Sequence, residues 1–511
     1  MNEAWRNAFA RIPDLLAAHV QLSFSALLLA TAICLPLSIW AARAPRVAAV
    51  ILGFASLIQT IPALALLALF YPVLLGLSLL FGGGIKALGF LPALLALTLY
   101  ALLPILRNAV TGLIGVDPAA KEAADGLGMT ASQKLRLVEA PLAAPTIMAG
   151  VRTAAVWTIG AATLSTTVGQ ASLGDMIFAG LQTQNWTLVL AGCLASACLA
   201  IIVDLLLGQI EKSIAQRKKA RAWIATTILG VGLAIALLPT LQSRENVIVI
   251  GAKGFSEQFI LARLIGSRLE EQGYVIEYRD GLGSAVVFRA VAADDIDIYI
   301  DYSGTIWTNQ MKRTDAPPTH EMLTEIGRWA NQNHGVTMVG ALGFENTYAF
   351  AVRPEDAAAR DLKTLEDLAR VSPDFVFGTD LEFLERPEWD MVQNTYPMRF
   401  KEERSFNPTF MYPALASGEA DVISAFSSDG RIAANNFFVL NDEKGAVPSY
   451  EALLMVSADS AGDERLVNAI QPLVGAISVG KMREANYMVD REKDKKTPRQ
   501  AAAWLDEQIG E

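Results

Sequence analysis

The sequence predicts two fold classes in one chain: an all-α membrane-spanning domain over residues 19–215 and, beyond a linking helix, an α/β bilobed domain over 247–511. Three observations predict it. The 511 residues are 52% hydrophobic and only 18% charged, where soluble domains average about 25% charged, and the mean hydropathy is +0.34. The charge is unevenly shared: residues 1–243 carry 15 Lys/Arg against 9 Asp/Glu (+6), residues 244–511 carry 27 against 43 (−16), and the whole is −10. Long charge-free apolar runs fill the first part, and short β-branched runs alternating with helical ones follow Val247. One core cannot serve this length, since cores stop growing near ~250–300 residues. An ordinary soluble enzyme is excluded, and the acidic half lacks the basic footprint that nucleic-acid binding needs.

The runs His19–Ala42, Val47–Ile85, Ala87–Leu106, Thr153–Gly174, Met176–Val203 and Ala222–Ser243 contain no Asp, Glu, Lys or Arg. About 20 apolar residues cross ~30 Å of hydrocarbon, so each can span. Val47–Ile85 is nearly two spans long and holds Pro62, Pro72 and Gly82-Gly83-Gly84, so it reads as one helix with an irregular or re-entrant extension. The fourth span begins near Pro145 and tolerates Arg152, and the fifth centres on residues 188–207. Arg11, Pro13 and Asp14 rule out a secretory signal over residues 1–18, which are expected to form an amphipathic helix at the outer surface.

Basic residues collect in cytoplasmic loops. Here they are Arg43 and Arg46, then Lys121, Lys134 and Arg136, then Lys212, Arg217, Lys218, Lys219 and Arg221, all on one side if each of the first five spans crosses once. The N-terminus is then outside, and the linking segment 216–246, a basic loop and sixth span, delivers residues 247–511 to the outside as well. Cys34, Cys193 and Cys198 all lie in apolar runs and the acidic half has no cysteine, so neither a disulfide framework nor a zinc cluster is expected there.

Between spans three and four stands Glu122-Ala123-Ala124-Asp125-Gly126-Leu127-Gly128, followed after nine residues by Val138-Glu139-Ala140-Pro141. Small residues allow close approach of a partner, Gly128 ends or bends a helix, and Pro141 suits the first turn of the next one. In spacing this resembles the EAA signature of ABC importer permeases, whose short helix docks on a cytoplasmic ATPase. The resemblance implies a type I-like permease with coupling residues Glu122, Ala123, Ala124, Gly128 and Pro141. No Gly-x-x-x-x-Gly-Lys-Ser/Thr occurs in the chain, so ATP and Mg²⁺ are expected on a separate ATPase chain and no cofactor on this one. Five core spans imply that a complete pathway takes two copies.

Beyond Val247 the pattern Val247–Ile250, Glu257–Gln272, Tyr274–Tyr278, Ser284–Ala292, Ile296–Ile300 gives the βαβαβ order of an open α/β sheet. Such sheets bind ligands at the carboxyl ends of their strands, where Lys253 and Tyr302 fall. Later strands near 347–352, 375–378, 421–426 and 452–457 suit a second lobe inserted into the first, with lobe I at about 247–350 and 451–511, lobe II at about 351–450, and crossings near Ala351 and Tyr450.

The runs Gly251-Ala252-Lys253-Gly254-Phe255-Ser256-Glu257-Gln258, Asp301-Tyr302-Ser303-Gly304-Thr305, Gly343-Phe344-Glu345-Asn346-Thr347-Tyr348-Ala349, Phe383-Leu384-Glu385-Arg386-Pro387 and Ser424-Ala425-Phe426-Ser427-Ser428-Asp429-Gly430-Arg431 resemble the type II-like periplasmic binding proteins of quaternary-amine osmoprotectant importers. The membrane half, including Gln59-Thr60-Ile61-Pro62-Ala63-Leu64-Ala65-Leu66, is similar to their permeases. The resemblance implies a bacterial inner-membrane importer subunit for glycine betaine, choline or carnitine, with an aromatic cage of Tyr302, Tyr348, Phe426 and Tyr450 and a carboxylate grip of Lys253, Thr305 and Arg386. A quaternary ammonium has no N–H to donate, which is why ring faces hold it. Phe426 stands where the family usually has tyrosine.

Ergothioneine, itself a trimethylammonium betaine, would suit the same cage. A ligand-gated channel or transmembrane sensor also joins a bilobed domain to a membrane domain, but it leaves the EAA-like loop unexplained. A membrane enzyme would need an acid/base pair or a nucleophile elbow, and none is visible. His320 and His334 read as surface residues, Asp294, Asp295 and Asp297 as a solvated strand edge rather than a metal site, and Trp307, Trp389 and Tyr396 as packing residues.

Overall fold

The computed structural model describes residues 3–510 apart from 82–84, 184, 217–218, 238–245, 314, 316, 381–382 and 492. The chain divides into two compact units, Met1–Phe178 with Thr187–Ser243, and Ala179–Trp186 with Arg244–Glu511. The expected Gly82-Gly83-Gly84 irregularity, Arg217, Lys218 and the end of the sixth span at Ser243 lie outside the described residues.

In the membrane unit α1 runs from Glu3 to Arg43. The surface helix expected over residues 1–18 is therefore not a separate element: α1 continues through Pro13 without a break. Helix α1 presents Leu22, Ala26, Ala30 and Cys34, four residues apart and all buried. The small side chains of Ala26, Ala30 and Cys34 let it lie close against α4 (Phe90–Ile114), packed with Ala93, Leu97, Ala101 and Ile105. His19 on the same helix donates from Nε2 to Ile159 O at 3.0 Å and accepts at Nδ1 from Leu173 N at 3.3 Å, which fixes a neutral tautomer.

The long second run is two helices, α2 (Pro45–Thr60) and α3 (Ala63–Leu80), bent by 100°. The break falls at Ile61-Pro62, where Ile61 is extended (ψ 126°). Proline has no N–H to continue the helix and excludes the helical region for the residue before it. Among the described residues five helices are long and apolar enough to cross a membrane, and the bent pair makes a sixth if it is one span.

After α4 comes α5 (Pro118–Gly126), capped by the Asp117 carboxylate accepting from Ala119 N at 2.9 Å. The fourth span, α6, covers Ala140–Ala162, starting five residues before the expected Pro145: Pro141 occupies its first turn, and beyond Ala162 the chain tightens into a 3₁₀ turn over Thr163–Val168. Its fit against α4 depends on Gly150, where a Cβ would lie 2.7 Å from Asn108 Cβ and 2.8 Å from Pro104 O. Helices α7 (Trp186–Ala215) and α8 (Lys219–Leu237) follow. Arg152 of α6 makes two parallel hydrogen bonds to Asp204 of α7, at 2.6 and 2.7 Å, and a third to Glu211 at 3.4 Å. Ionised groups in a span are tolerated when they neutralise one another in this way.

The second unit holds two five-stranded sheets. The first is built from β1 (Val247–Lys253), β2 (Val275–Leu282), β3 (Ile298–Tyr302), β4 (Thr337–Glu345) and a late strand β10, in the order β2-β1-β3-β10-β4. Helices α9 (Ser256–Glu271) and α10 (Ser284–Ala292) make the crossovers between its parallel strands. The second sheet contains β5 (Tyr348–Val352), β6 (Val376–Asp380), β7 (Glu402–Phe406), β8 (Val422–Phe426) and β9 (Phe438–Leu440), in the order β7-β6-β8-β5-β9. Strand β10 (Glu451–Val456) then returns antiparallel between β3 and β4. Lobe II is thus inserted into lobe I. The first crossing is at Asn346-Thr347 rather than Ala351, because β5 is wholly a strand of the second sheet, and the second crossing lies between Leu440 and Glu451.

Candidate ligand-binding site

Both sheets end their strands on one cavity of about 280 Å³. From lobe I, β1 ends at Lys253 and β3 at Tyr302, and Thr305 lies in the helical turn after β3. From lobe II, β5 begins at Tyr348, β8 ends at Phe426, and Arg386 immediately precedes α11 (Pro387–Thr395). Tyr450 precedes β10 at the second crossing. The seven expected residues, Tyr302, Tyr348, Phe426, Tyr450, Lys253, Thr305 and Arg386, all line this cavity.

The rings are close enough to act together. Tyr348 lies with its centroid 5.0 Å from Phe426 and 5.9 Å from Tyr450, the latter edge-on at 86°. A further ring, Phe255, also lines the cavity, 6.2 Å from Tyr302 and 6.4 Å from Phe426 with the latter plane parallel. The enclosure therefore has five rings, one more than the sequence motifs indicated. Phe255 follows the carboxyl end of β1, the place where an open α/β sheet puts ligand contacts, and that position is the signal that could have found it.

Tyrosine hydroxyls in the wall are anchored by buried carboxylates. Tyr302 donates to Glu257 Oε1 at 2.6 Å, and Tyr450 donates to Glu388, which also accepts from Thr308 at 2.9 Å. Gly304 is required here, since a Cβ would come within 2.3 Å of the Tyr450 ring. Glu257 is 2% exposed and collects three further donors: Ser428 Oγ at 2.5 Å, Asn346 Nδ2 at 3.1 Å and Asn486 Nδ2 at 3.1 Å. It thereby joins lobe I, the first crossing, lobe II and the helix α12 (Val479–Asp490). Burial pushes its carboxyl above the usual carboxylate range, and the four hydrogen bonds work against that. Burial and the neighbouring Glu257 push the Tyr302 phenol well up.

The cations are placed differently from a simple carboxylate grip. Lys253 is paired with Asp301, which is fully buried, and its Nζ stands 5.1 Å from the centroid of Tyr302. Its charge is matched within the protein. Arg386 lies over Tyr348, with Cζ 5.6 Å from the centroid. Arg431, at the end of the Ser424–Arg431 run, also lines the cavity, bonded to Asp429 at 2.6 Å and stacked on Tyr412 at 4.2 Å.

The minor candidates fall elsewhere. Trp307 donates to Asp315 O at 2.7 Å, Trp389 stacks on Phe377 at 5.2 Å, and Tyr396 donates to Asp442 at 2.7 Å, so all three serve packing. His334 packs edge-on against Phe288 and Trp329, and His320 is exposed. The acidic run is solvated only at Asp294, which is exposed: Asp297 accepts from Val249 N at 2.7 Å and Ser460 Oγ at 2.5 Å, and Asp295 is buried. Among the described residues no group of three His, Cys, Asp or Glu could hold a metal ion.

In the other unit Glu122 and Ala123 are exposed on α5, Ala124 is buried, Gly128 has φ +71° two residues past the end of the helix, and Pro141 is exposed. Lys121 caps the end of α4 through Leu113 O at 3.1 Å, and Lys134 pairs with Asp125 at 2.7 Å. Leu127 and Leu137 stand 76% and 66% exposed beside them.

Comparison with known proteins covers both units. Residues 246–507 match the family described as the substrate binding domain of ABC-type glycine betaine transport system, and residues 34–216 match the binding-protein-dependent transport system inner membrane component. The ergothioneine transport permease/ergothioneine binding protein EgtU of Helicobacter pylori (strain G27) is 30% identical over 480 residues, 90% of this chain and 84% of that one. The chain belongs to this family of permeases fused to a substrate-binding domain. The choline transport system permease protein OpuBB of Bacillus subtilis (strain 168) is 39% identical over 196 residues, 38% of this chain and 85% of its own. A glycine betaine/carnitine/choline ABC transporter crystal structure is 26% identical, covering 52% of this chain and 98% of its own with TM-score 0.45. The protein is accordingly a multi-pass membrane transporter subunit.

Proposed function

We propose that the chain imports trimethylammonium compounds of the glycine betaine, choline and carnitine class, capturing them in the cavity of its second unit and passing them to its own permease. The observation that carries this is the enclosure of Phe255, Tyr302, Tyr348, Phe426 and Tyr450. Each desolvated ring face is worth about 0.5–2 kcal/mol to a quaternary ammonium, so five rings suffice for selective capture without a single hydrogen bond to the nitrogen. Rings from both lobes contribute, so an open form that closes on the ligand gains all of them together. Thr305 and Arg386 are the polar groups best placed for a second, anionic end of the ligand.

Transport is driven by ATP and Mg²⁺ on a separate ATPase chain that docks on the segment Glu122–Pro141, using Glu122, Ala123, Ala124, Gly128 and Pro141, with two copies of this chain forming the pathway. The binding unit works on the outer face of a bacterial inner membrane, where tethering keeps its effective concentration at the pathway mouth high. Exposed Leu127 and Leu137 beside α5 support docking of a partner there. The test is calorimetric titration of the full chain in lipid nanodiscs with glycine betaine, choline, carnitine, proline betaine and ergothioneine. Saturable binding of at least one is expected; heat of dilution alone for all five would overturn the reading.

A further inference from the structure

The donors and acceptors of the cavity wall are unequally available. Tyr302 O–H, Ser428 O–H and the amides of Asn346 and Asn486 all donate to Glu257. Ser256 O–H donates to Asp490, Tyr450 O–H to Glu388, the Lys253 ammonium to Asp301 and the Arg431 guanidinium to Asp429. Eight donor groups of the wall are thus already spent on carboxylates. The acceptors are not. Asn346 and Asn486 are 6% and 2% exposed, both line the cavity, and the Oδ1 of each has no hydrogen-bond partner among the described residues. Asn486 Nδ2 also donates to Ser428 O at 2.8 Å, a carbonyl that can only accept, which fixes its orientation, and Asn346 Nδ2 faces a Glu257 carboxyl that accepts four hydrogen bonds, so each carbonyl oxygen points the other way. Asp490, 7% exposed, also lines the cavity and accepts a side-chain hydrogen bond from Ser256. A buried acceptor left without a donor costs free energy that a ligand hydroxyl or N–H could recover.

We propose that the cavity selects, among quaternary amines, those that also carry an O–H or N–H donor, such as quaternary amino alcohols or betaines with a ring N–H, over betaines whose only polar group is a carboxylate. This rests on the quaternary-amine reading above. A site built to hydrogen-bond a ligand hydroxyl rejects the analogue that lacks it more strongly than an apolar site rejects a lost methylene. A carboxylate has chiefly Thr305 and Arg386 to meet it, and it stands among the like charges of Glu257, Asp380, Asp429 and Asp490 in the same lining.

The test compares pairs in which one member has lost the donor, once with an added methyl and once with the hydroxyl removed, by calorimetry on the full chain in nanodiscs: choline against its O-methyl ether, and carnitine against γ-butyrobetaine. At least one hydroxyl compound is expected to bind tenfold or more tightly than its partner, with glycine betaine weaker than either alcohol. Equal affinities within both pairs, or glycine betaine bound most tightly, would overturn the donor requirement while leaving quaternary-amine binding intact. No binding by any of the five, nor by ergothioneine, would overturn both.

Discussion

Replacing Lys253 by methionine separates two roles that the same side chain can have. In the structure its ammonium pairs with Asp301, a carboxylate with no exposed surface whose other partners are Tyr299 O–H at 2.8 Å and the Tyr302 N–H at 2.9 Å. Breaking a buried ion pair by removing one partner costs about 3–5 kcal/mol. The two remaining donors put the expected loss near the lower end, about 3 kcal/mol. Hydrogen exchange on the full chain in nanodiscs should show the opening free energy of amides in β1 and β3 falling by that amount, and the double variant Lys253→Met/Asp301→Asn should recover most of it. Ligand binding supplies the discriminating measurement. A lysine that grips a ligand carboxylate contributes about 1.5–3 kcal/mol through a charge-assisted hydrogen bond, which is roughly 10- to 150-fold in affinity. Lys253→Met would then weaken glycine betaine and leave choline, which has no carboxylate, untouched. The Asp301 pairing instead predicts that the two ligands lose affinity alike. A carboxylate-selective loss with unchanged exchange in β1 and β3 would refute it.

Phe255→Ala removes the ring that faces both Tyr302 and Phe426, and should weaken every trimethylammonium ligand two- to thirtyfold by calorimetry, from about 0.5–2 kcal/mol per ring face, whereas His334→Ala should change nothing. Gly304→Ala places a methyl 2.3 Å from the Tyr450 ring; overpacking of this kind costs about 1–3 kcal/mol, and displacement of the ring from Glu388 should lower affinity at least tenfold with the fold retained by circular dichroism. Acidification should stabilise the binding unit. Burial, above all, holds the Asp490 carboxyl up at about 6 and raises Glu257 as well, so the folded state binds more protons than the unfolded one between an ordinary carboxylate value and about 6, and stability rises as pH falls from 7 through that window. Asp490→Asn should flatten the rise seen in thermal melts between pH 7 and 5.

How far the sequence could be read depended on whether the deciding interaction was local. The βαβαβ start of the binding unit, the two-lobe insertion and the break at Pro62 follow from periodicity and from proline's own geometry, which neighbours in sequence determine. Tyr302, Tyr348, Phe426 and Tyr450 were reachable because each sits at a strand end or crossing. Phe255 was not singled out, since a phenylalanine beside a glycine looks like any loop residue until Phe426, far along the chain, is brought parallel to it. The pairing of Lys253 with Asp301 spans 48 residues and has no local signature. The first crossing was misplaced by a few residues because Tyr348–Val352 is buried throughout, so nothing in its pattern says which sheet it joins. The length of α1 was hidden by Pro13, a residue that punctuates helices in water far more often than it does in a membrane.

The Arg152 cluster carries a consequence for motion within the membrane unit. One guanidinium faces two carboxylates, and its planar fork meets Asp204 through two parallel bonds that a slide of an ångström would break together. Neither helix can slide without breaking both, so α6 and α7 are coupled in register at this point. Any shear that opens and shuts a pathway has to run along a seam without such a rivet. The seam between α4 and α6, where Gly150 lets one backbone rest on another, is the candidate.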